Sequence, residues 1–200
     1  MTRKLREKID FSGAIYHIVC RGMNKKNIFR CPKDYKKMLE IVKQAKKKFG
    51  FYIYSYNLLP NHVHFEIKIG DISISIIMHY INTCYAGYFN QRYKRSGHLF
   101  QERFYSSLID TEFYFWAVSA YIDLNAVRAG LVKKPEDYQW GSYQFYYQRN
   151  YNNGLVDCVE FLKLGGEGKT EDLCQDYIKF VQAESKNPKR PKFIQSEKFI

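Results

Sequence analysis

Residues 59–67 read LPNHVHFEI, a Leu-Pro-Asn turn followed by His62 and His64 with one valine between them. The chain has five histidines, so two of them fall in one short stretch. Side chains on a β-strand alternate between faces, so His62 and His64 emerge on the same face, about 7 Å apart. Val63, Phe65, Ile67 and Ile69 take the other face and point into a core. Two neutral imidazoles placed this way can approach one divalent ion or one phosphate oxygen. A metal site wants at least one more protein ligand, and Glu66 shares the face but lies further along the strand. Imidazoles also serve in ordinary hydrogen bonding, so the spacing alone leaves both readings open.

A second constellation lies some sixty residues on. The spacing predicts one helix over 112–129, with Thr111 as N-cap, Glu112 in the first turn and Gly130 at the end. Phe113, Trp116, Ala120, Leu124 and Val127 form an apolar stripe at spacings of 3, 4, 4 and 3. Tyr114, Tyr121, Asn125 and Arg128 follow a neighbouring face at spacings of 7, 4 and 3. That face offers a phenol, a neutral oxygen ligand and a guanidinium in a row. A tyrosine can attack a phosphodiester and leave its oxygen joined to phosphorus. Its reference pKa is near 10, so it needs a polarised phosphate or a basic neighbour at neutral pH. Helix geometry alone leaves Tyr121 one of several candidates among 18 tyrosines.

The elements that must position these residues read as follows. GAIYHIVCRG is an alternating strand from about Ala14 to Arg21, broken by Gly22 and followed by the basic loop MNKKNIF. Tyr35, Met38, Leu39, Val42 and Ala45 mark an amphipathic helix that Gly50 closes. FYIYSYNLL and HVHFEIKI form a hairpin across Pro60–Asn61. A second helix covers roughly 73–95, and another strand lies near 102–109. KPEDYQWGSYQFYYQ starts a short helix or turn, YNNG is linker-like, and 155–185 suggests two short helices. The basic arm 1–8 and the tail from Asn187 read as loose. The order β-α-β-β-α-β-α implies an α+β domain with helices flanking an antiparallel β-sheet. The expected division is a catalytic domain over 9–150 and a helical extension with a basic tail over 151–200.

Composition narrows the partner. A net charge of +12 over 200 residues suits a polyanion, because each neutralised phosphate releases counterions. With 18 Tyr and 15 Phe, exposed rings could stack on unpaired bases, although core packing accounts for most of them. Arg21, Lys25, Lys26, Arg92, Lys94, Arg95, Arg103 and Arg128 sit in loops or at element ends, where they could grip phosphates. The five cysteines are widely spaced and lack CxxC, which suits free thiols and a cytoplasmic setting. No signal peptide opens the chain, and ISISIIMHYI is too short and polar to span a bilayer. His17, inside an alternating strand, reads as structural, and His98 as a packing or phosphate-contact residue.

Three ordered blocks, LPNHVHFEI, GHLFQERF and YIDLNAVRAGLV, resemble the HUH single-strand transposases. The closest branch comprises the REP-associated tyrosine transposases and their IS200-like single-tyrosine relatives. The resemblance runs from about Ala14 to Tyr147 and takes in YHIVCRG and DYQWGSY. It implies an HUH-type fold with a ferredoxin- or RRM-like sheet and a small helical C-terminal extension. It further implies that His62 and His64 bind a divalent ion, Mg2+ or Mn2+, and that Asn125 completes the metal site. Tyr121 is then the nucleophile, cleaving single-stranded DNA beside a hairpin through a 5′-phosphotyrosine and a free 3′-hydroxyl. Relatives work as monomers or as homodimers. Two positions depart from the pattern: Ala126 replaces the usual proline, and Asp123 adds an acid on a different helical face. The competing readings are a hairpin-binding regulator that does not cut, and a metal hydrolase that uses water.

Overall fold

The computed structural model describes residues 10–109 and 112–187, except for the side chains of 112–114. The expected N-cap Thr111, the side chain of Tyr114, the arm 1–8 and the tail from 188 lie outside the described residues. The chain forms two compact units. The first holds the described residues up to Ile53 together with Leu58–Ile109; the second holds Tyr54–Asn57 and the described residues from 112 onward.

Four strands make one sheet: β1 Ile15–Arg21, β2 Tyr52–Leu59, β3 His62–Lys68 and β4 Tyr105–Ile109. Their spatial order is β2-β3-β1-β4, which is the ferredoxin-like arrangement of a βαββαβ chain. The expected hairpin is present, with Pro60 and Asn61 as its two-residue turn between β2 and β3. β1 runs antiparallel to β3 and β4, with Cys20 opposite Val63, Ile18 opposite Phe65 and Tyr16 opposite Ile67. These six side chains share one face and are buried. Each fully buried aliphatic or aromatic residue of this kind stabilises the fold by roughly 1.5–3 kcal/mol.

Helices α1 (Pro32–Phe49) and α2 (Ile74–Arg92) pack against each other within the first unit. α1 starts where Pro32 cannot donate a backbone hydrogen bond, and it ends at Gly50, whose φ of 65° is left-handed. Asp34 locks the two helices. Its carboxylate accepts from the backbone of Arg30 (2.8 Å) and Cys31 (3.2 Å), and from the hydroxyls of Tyr88 (3.0 Å) and Tyr93 (2.7 Å). Arg92 Nε lies 3.4 Å away. Burial pushes the Asp34 carboxyl up, yet these donors outweigh burial and hold it below the ordinary aspartate value.

β4 begins at Tyr105 rather than near 102, because the preceding segment is pinned to other groups. Met23 N–H donates to Leu99 O (2.9 Å), Gln101 N–H to Arg21 O (2.8 Å), and Asn82 Nδ2 to Arg103 O (2.7 Å). Gly22 is required by close approach, since a Cβ there would stand 2.1 Å from the Lys26 carbonyl oxygen.

The second unit carries α3 Glu112–Asp123, α4 Asn125–Arg128, α5 Tyr143–Tyr147, α6 Cys158–Leu164 and α7 Thr170–Ser185. A 3-10 turn over Pro135–Asp137 supplies the Pro-initiated element. Two expectations need correction. The helix expected over 112–129 breaks at Leu124, whose φ and ψ are −84° and −4°, because polar side chains beyond the break bond the last turn of α3. The one-sided apolar stripe is also absent: every residue from 118 to 126 is buried, while Trp116 and Val127 are only half-buried. α3 packs against α7 and receives polar contacts from Tyr54–Asn57 of β2, so it has no wet face along that stretch. Of the two short helices expected over 155–185, α7 is a full 16 residues.

Replacing Asp34 by Ala leaves part-buried backbone and hydroxyl donors without their acceptor, a loss of about 2–3 kcal/mol. Thermal unfolding should fall by several degrees, whereas Glu40→Ala, at an exposed pair with Lys37, should change little. The Asp34 contribution is present above the ordinary aspartate pKa and is lost as pH falls through its lowered value. The difference between wild type and variant should therefore shrink in acid.

Candidate active site

The two histidines on β3 are not on a wet face. In the β1–β3 register, His62 stands opposite Arg21, His64 opposite Val19 and Glu66 opposite His17. His17, His64 and Glu66 are all buried, and His62 is partly so. The ring centroids of His62 and His64 are 5.0 Å apart, with an interplanar angle of 76°. The structure thus brings this expected pair together.

Each ring is held through its Nδ1. The His62 Nδ1 lies 2.6 Å from Asn61 Oδ1, so that nitrogen carries the proton and Nε2 the lone pair. Asn61 is fixed in turn: its Nδ2 donates to Lys25 O (3.2 Å) and its carbonyl accepts from Gly22 N–H (2.8 Å). The Pro60 carbonyl accepts from Ile28 and Phe29, so the Leu-Pro-Asn turn is bolted to the basic loop. The His64 Nδ1 lies 3.0 Å from His17 Nε2, and the two rings stack at 5.2 Å and 8°. His17 is therefore the satisfied structural histidine its strand position suggested, with His64 as its partner. No sequence signal carried that pairing, because only strand pairing places residues 47 apart face to face.

Burial, with the Arg21 guanidinium adding to it, pushes the His62 imidazole down to about 4. It is neutral at physiological pH, which is the form that donates a lone pair to a metal. Imidazoles oriented by hydrogen bonds at one nitrogen and neutral at the other fit a divalent ion. Among the described residues, no group of three or more His, Cys, Asp or Glu could hold a metal.

In the second unit, Tyr121, Asn125 and Arg128 come together as their spacing predicted. The Tyr121 carbonyl accepts from Asn125 Nδ2 (2.9 Å) and from Arg128 Nη1 (3.2 Å). The first bond fixes the Asn125 amide, committing its nitrogen and leaving Oδ1 as the ligand-type atom. Arg128 Cζ also lies 5.2 Å from the centroid of the Tyr121 ring. Gly130, with φ 69°, closes the helix: Leu131 N–H reaches Ala126 O and Gly130 N–H reaches Val127 O. That is a Schellman ending, so the sequence NAVRAG stops cleanly without the usual proline.

Asp123 is the residue whose effect its sequence position left open. Its carboxylate accepts from the hydroxyls of Ser55 (2.9 Å), Ser142 (3.0 Å) and Tyr177 (2.6 Å). Asn57 Nδ2 donates to the Ile122 carbonyl (2.9 Å), and Ser142 accepts from the backbone of Tyr56 (2.9 Å). The end of α3 is thereby tied to Tyr54–Asn57, to the GSY segment and to α7. Burial pushes the Asp123 carboxyl up to about 6, even though all three hydroxyls pull it down.

The other expected phosphate contacts differ in their commitments. Lys25, Lys26, Lys94 and Arg103 are exposed, and Arg21 is half-buried opposite His62. Arg92 is engaged by Asp34 and by the Cys31 sulfur at 3.5 Å, and Arg95 lies over the Phe89 ring at 5.5 Å. His98 is exposed.

A carboxyl raised above its unfolded value contributes most stability below the unfolded pKa, and loses it as pH rises through the folded one. Wild type should therefore lose stability relative to Asp123→Asn between about pH 4 and 6, by on the order of 2–3 kcal/mol. Thermal unfolding of both proteins across that range checks this, and parallel curves would refute the buried-carboxyl account.

A family model described as "Transposase IS200 like" matches residues 10–125. Among solved structures, the chain is similar to a REP-associated tyrosine transposase bound to a REP hairpin. The TM-score is 0.61 at 19% identity, covering 85% of this chain and 92% of that one. A candidate transposase from Deinococcus radiodurans aligns at TM-score 0.40 and 10% identity, over 78% of this chain and 99% of that one, too distant to bear on the fold. No curated protein matches the chain. With the family model spanning more than half its length, and with the sheet order and histidine pair as described, the chain belongs to the IS200-like transposases.

Proposed function

We propose that this transposase is a metal-dependent tyrosine strand transferase acting on single-stranded DNA near hairpins. The observation that carries the reading is the His62–His64 pair, held at Nδ1 by Asn61 and His17 so that both rings are oriented for one cation. Asn125, its amide committed through nitrogen to the Tyr121 carbonyl, is our third ligand. A divalent ion, Mg2+ or Mn2+, would polarise the scissile phosphate and lower the barrier to attack.

Tyr121 is the nucleophile. Its hydroxyl oxygen forms a bond to phosphorus as its proton leaves, and the phosphorus–O3′ bond breaks, the leaving oxygen taking up a proton. The products are a 5′-phosphotyrosine and a free 3′-hydroxyl. That hydroxyl can attack the phosphotyrosine in reverse and rejoin strands, with bond energy conserved throughout.

A REP hairpin occupies the similar solved transposase, and a hairpin-bearing strand is our proposed substrate here. Arg21, Lys25, Lys26, Arg92, Lys94, Arg95 and Arg103 would supply phosphate contacts, in keeping with the charge of +12. Among the described residues no helix is long and apolar enough to cross a membrane, and we propose a cytoplasmic site of action. Residues 9–150 would carry the chemistry, working as a monomer or a homodimer. The extension would brace α3 through Tyr177. A non-cutting hairpin-binding role draws on one observation: Tyr121 is only 1% exposed, and a phenol must be uncovered to meet phosphorus.

Two outcomes are expected with a hairpin oligonucleotide carrying single-stranded flanks. Wild type with Mg2+ or Mn2+ forms an adduct that survives boiling in detergent, and Tyr121→Phe abolishes it; adduct at the wild-type rate in the variant refutes the nucleophile. His62→Ala combined with His64→Ala removes cleavage but keeps most salt-sensitive binding, and chelation of the metal mimics the double variant. Binding by wild type without adduct, across several divalent ions, would establish the non-cutting role.

A further inference from the structure

We infer that Arg128 is a positioning residue for Tyr121, holding the main chain and ring of the nucleophile, and is not a phosphate contact. The inference rests on the reading of Tyr121 as nucleophile. Helical side chains lean toward the N-terminus, so a residue two turns beyond Tyr121 can reach back over it. Arg128 does so with both of its recognition surfaces. One N–H of its fork donates to the Tyr121 carbonyl at 3.2 Å, while its carbon centre sits 5.2 Å from the ring centroid. That separation is within cation–π range.

Three features make the contact a built one. The helix breaks at Leu124, and side-chain donors from Asn125 and Arg128 converge on the one Tyr121 carbonyl. The Schellman ending at Gly130 then fixes the backbone that presents Arg128. Arg128 is also half-buried and already engaged by Tyr121, whereas Lys25, Lys26, Lys94 and Arg103 are exposed. The same guanidinium couples two atoms groups of Tyr121 that must not drift: the carbonyl that ends α3 and the ring that carries the reacting oxygen. A phenol attacking phosphorus in line tolerates little misplacement, since about 1 Å can cost on the order of 100-fold in rate.

The competing role, a grip on DNA phosphate, makes opposite predictions. The experiment uses full-length wild type, Arg128→Lys and Arg128→Gln. The probe is an imperfect-palindrome oligonucleotide with single-stranded flanks, taken from DNA beside the gene. Affinity and its salt dependence are read by fluorescence anisotropy, and the single-turnover adduct rate is read at saturating oligonucleotide with Mg2+ or Mn2+. We expect Arg128→Gln to slow the rate by on the order of 100-fold. Its Kd should stay within about twofold of wild type, with the salt slope unchanged. Arg128→Lys should be slowed too, because a point charge replaces neither the fork nor the flat face.

A weaker Kd, a salt slope reduced by roughly 0.7–0.9, and a wild-type rate at saturation would overturn the inference in favour of a phosphate grip. Failure of the proposed function is seen separately, as wild type that forms no adduct at all. In that event 3-fluorotyrosine placed at position 121 decides by its 19F resonance without DNA. A shifted resonance in Arg128→Gln supports the positioning contact, and an unchanged one overturns it.

Discussion

The antiparallel register of β1 against β3 is the constraint on which the first unit depends. Pairing Ile18 with Phe65 and Cys20 with Val63 buries one apolar face. The same register stands Arg21 opposite His62 and brings His17 to His64. A slip of one residue would send every side chain to the other face, setting His17, His64 and Glu66 among the aliphatic groups. Packing of the apolar face therefore sets the chemistry of the polar one. The imidazoles are aligned by hydrophobic burial on the side they do not touch.

The second unit solves a different problem, the exact placement of a helix end. A carboxylate with no exposure is costly, and burial raises Asp123 to about 6 against three hydroxyl donors. Such a group is better explained by geometry than by stability, since a satisfied buried polar cluster fixes one arrangement of the elements that meet at it. Asp123 stands two residues after Tyr121, and its partners come from residues 55, 142 and 177. The break at Leu124 then lets Asn125 and Arg128 bond the Tyr121 carbonyl from beyond the helix. Stability is given up in a buried charge and regained as a defined position for one tyrosine.

Charge is divided along similar lines. The net +12 reads from sequence as a single basic character, but the structure sorts its members. Arg92 is drawn into the Asp34 cluster that joins α1 to α2, and Arg128 lies against Tyr121. Lys25 and Lys26 instead project from the loop whose Lys25 carbonyl holds Asn61, and through it His62. A loop that orients His62 thus also presents two cations.

Strand alternation, helix spacing and turn residues were enough to determine the element order, the Pro60–Asn61 hairpin, the Gly50 cap and the shared faces of His62 with His64 and of Tyr121 with Asn125 and Arg128. These are local properties, written in periods of 2 and 3.6 residues. Tertiary structure alone decided what those faces meet. The partner of His17 was not legible because it lies 47 residues away, and Asp123 looked unassigned because its donors lie 68, 19 and 54 residues away. The break at Leu124 escaped the helical period because it arises from side chains competing for a main-chain carbonyl. The expected apolar stripe on α3 failed for a related reason: burial on several sides erases the amphipathic signal. Periodicity reports which residues share a face. Only packing reports what covers that face, because contacts distant in sequence carry no period.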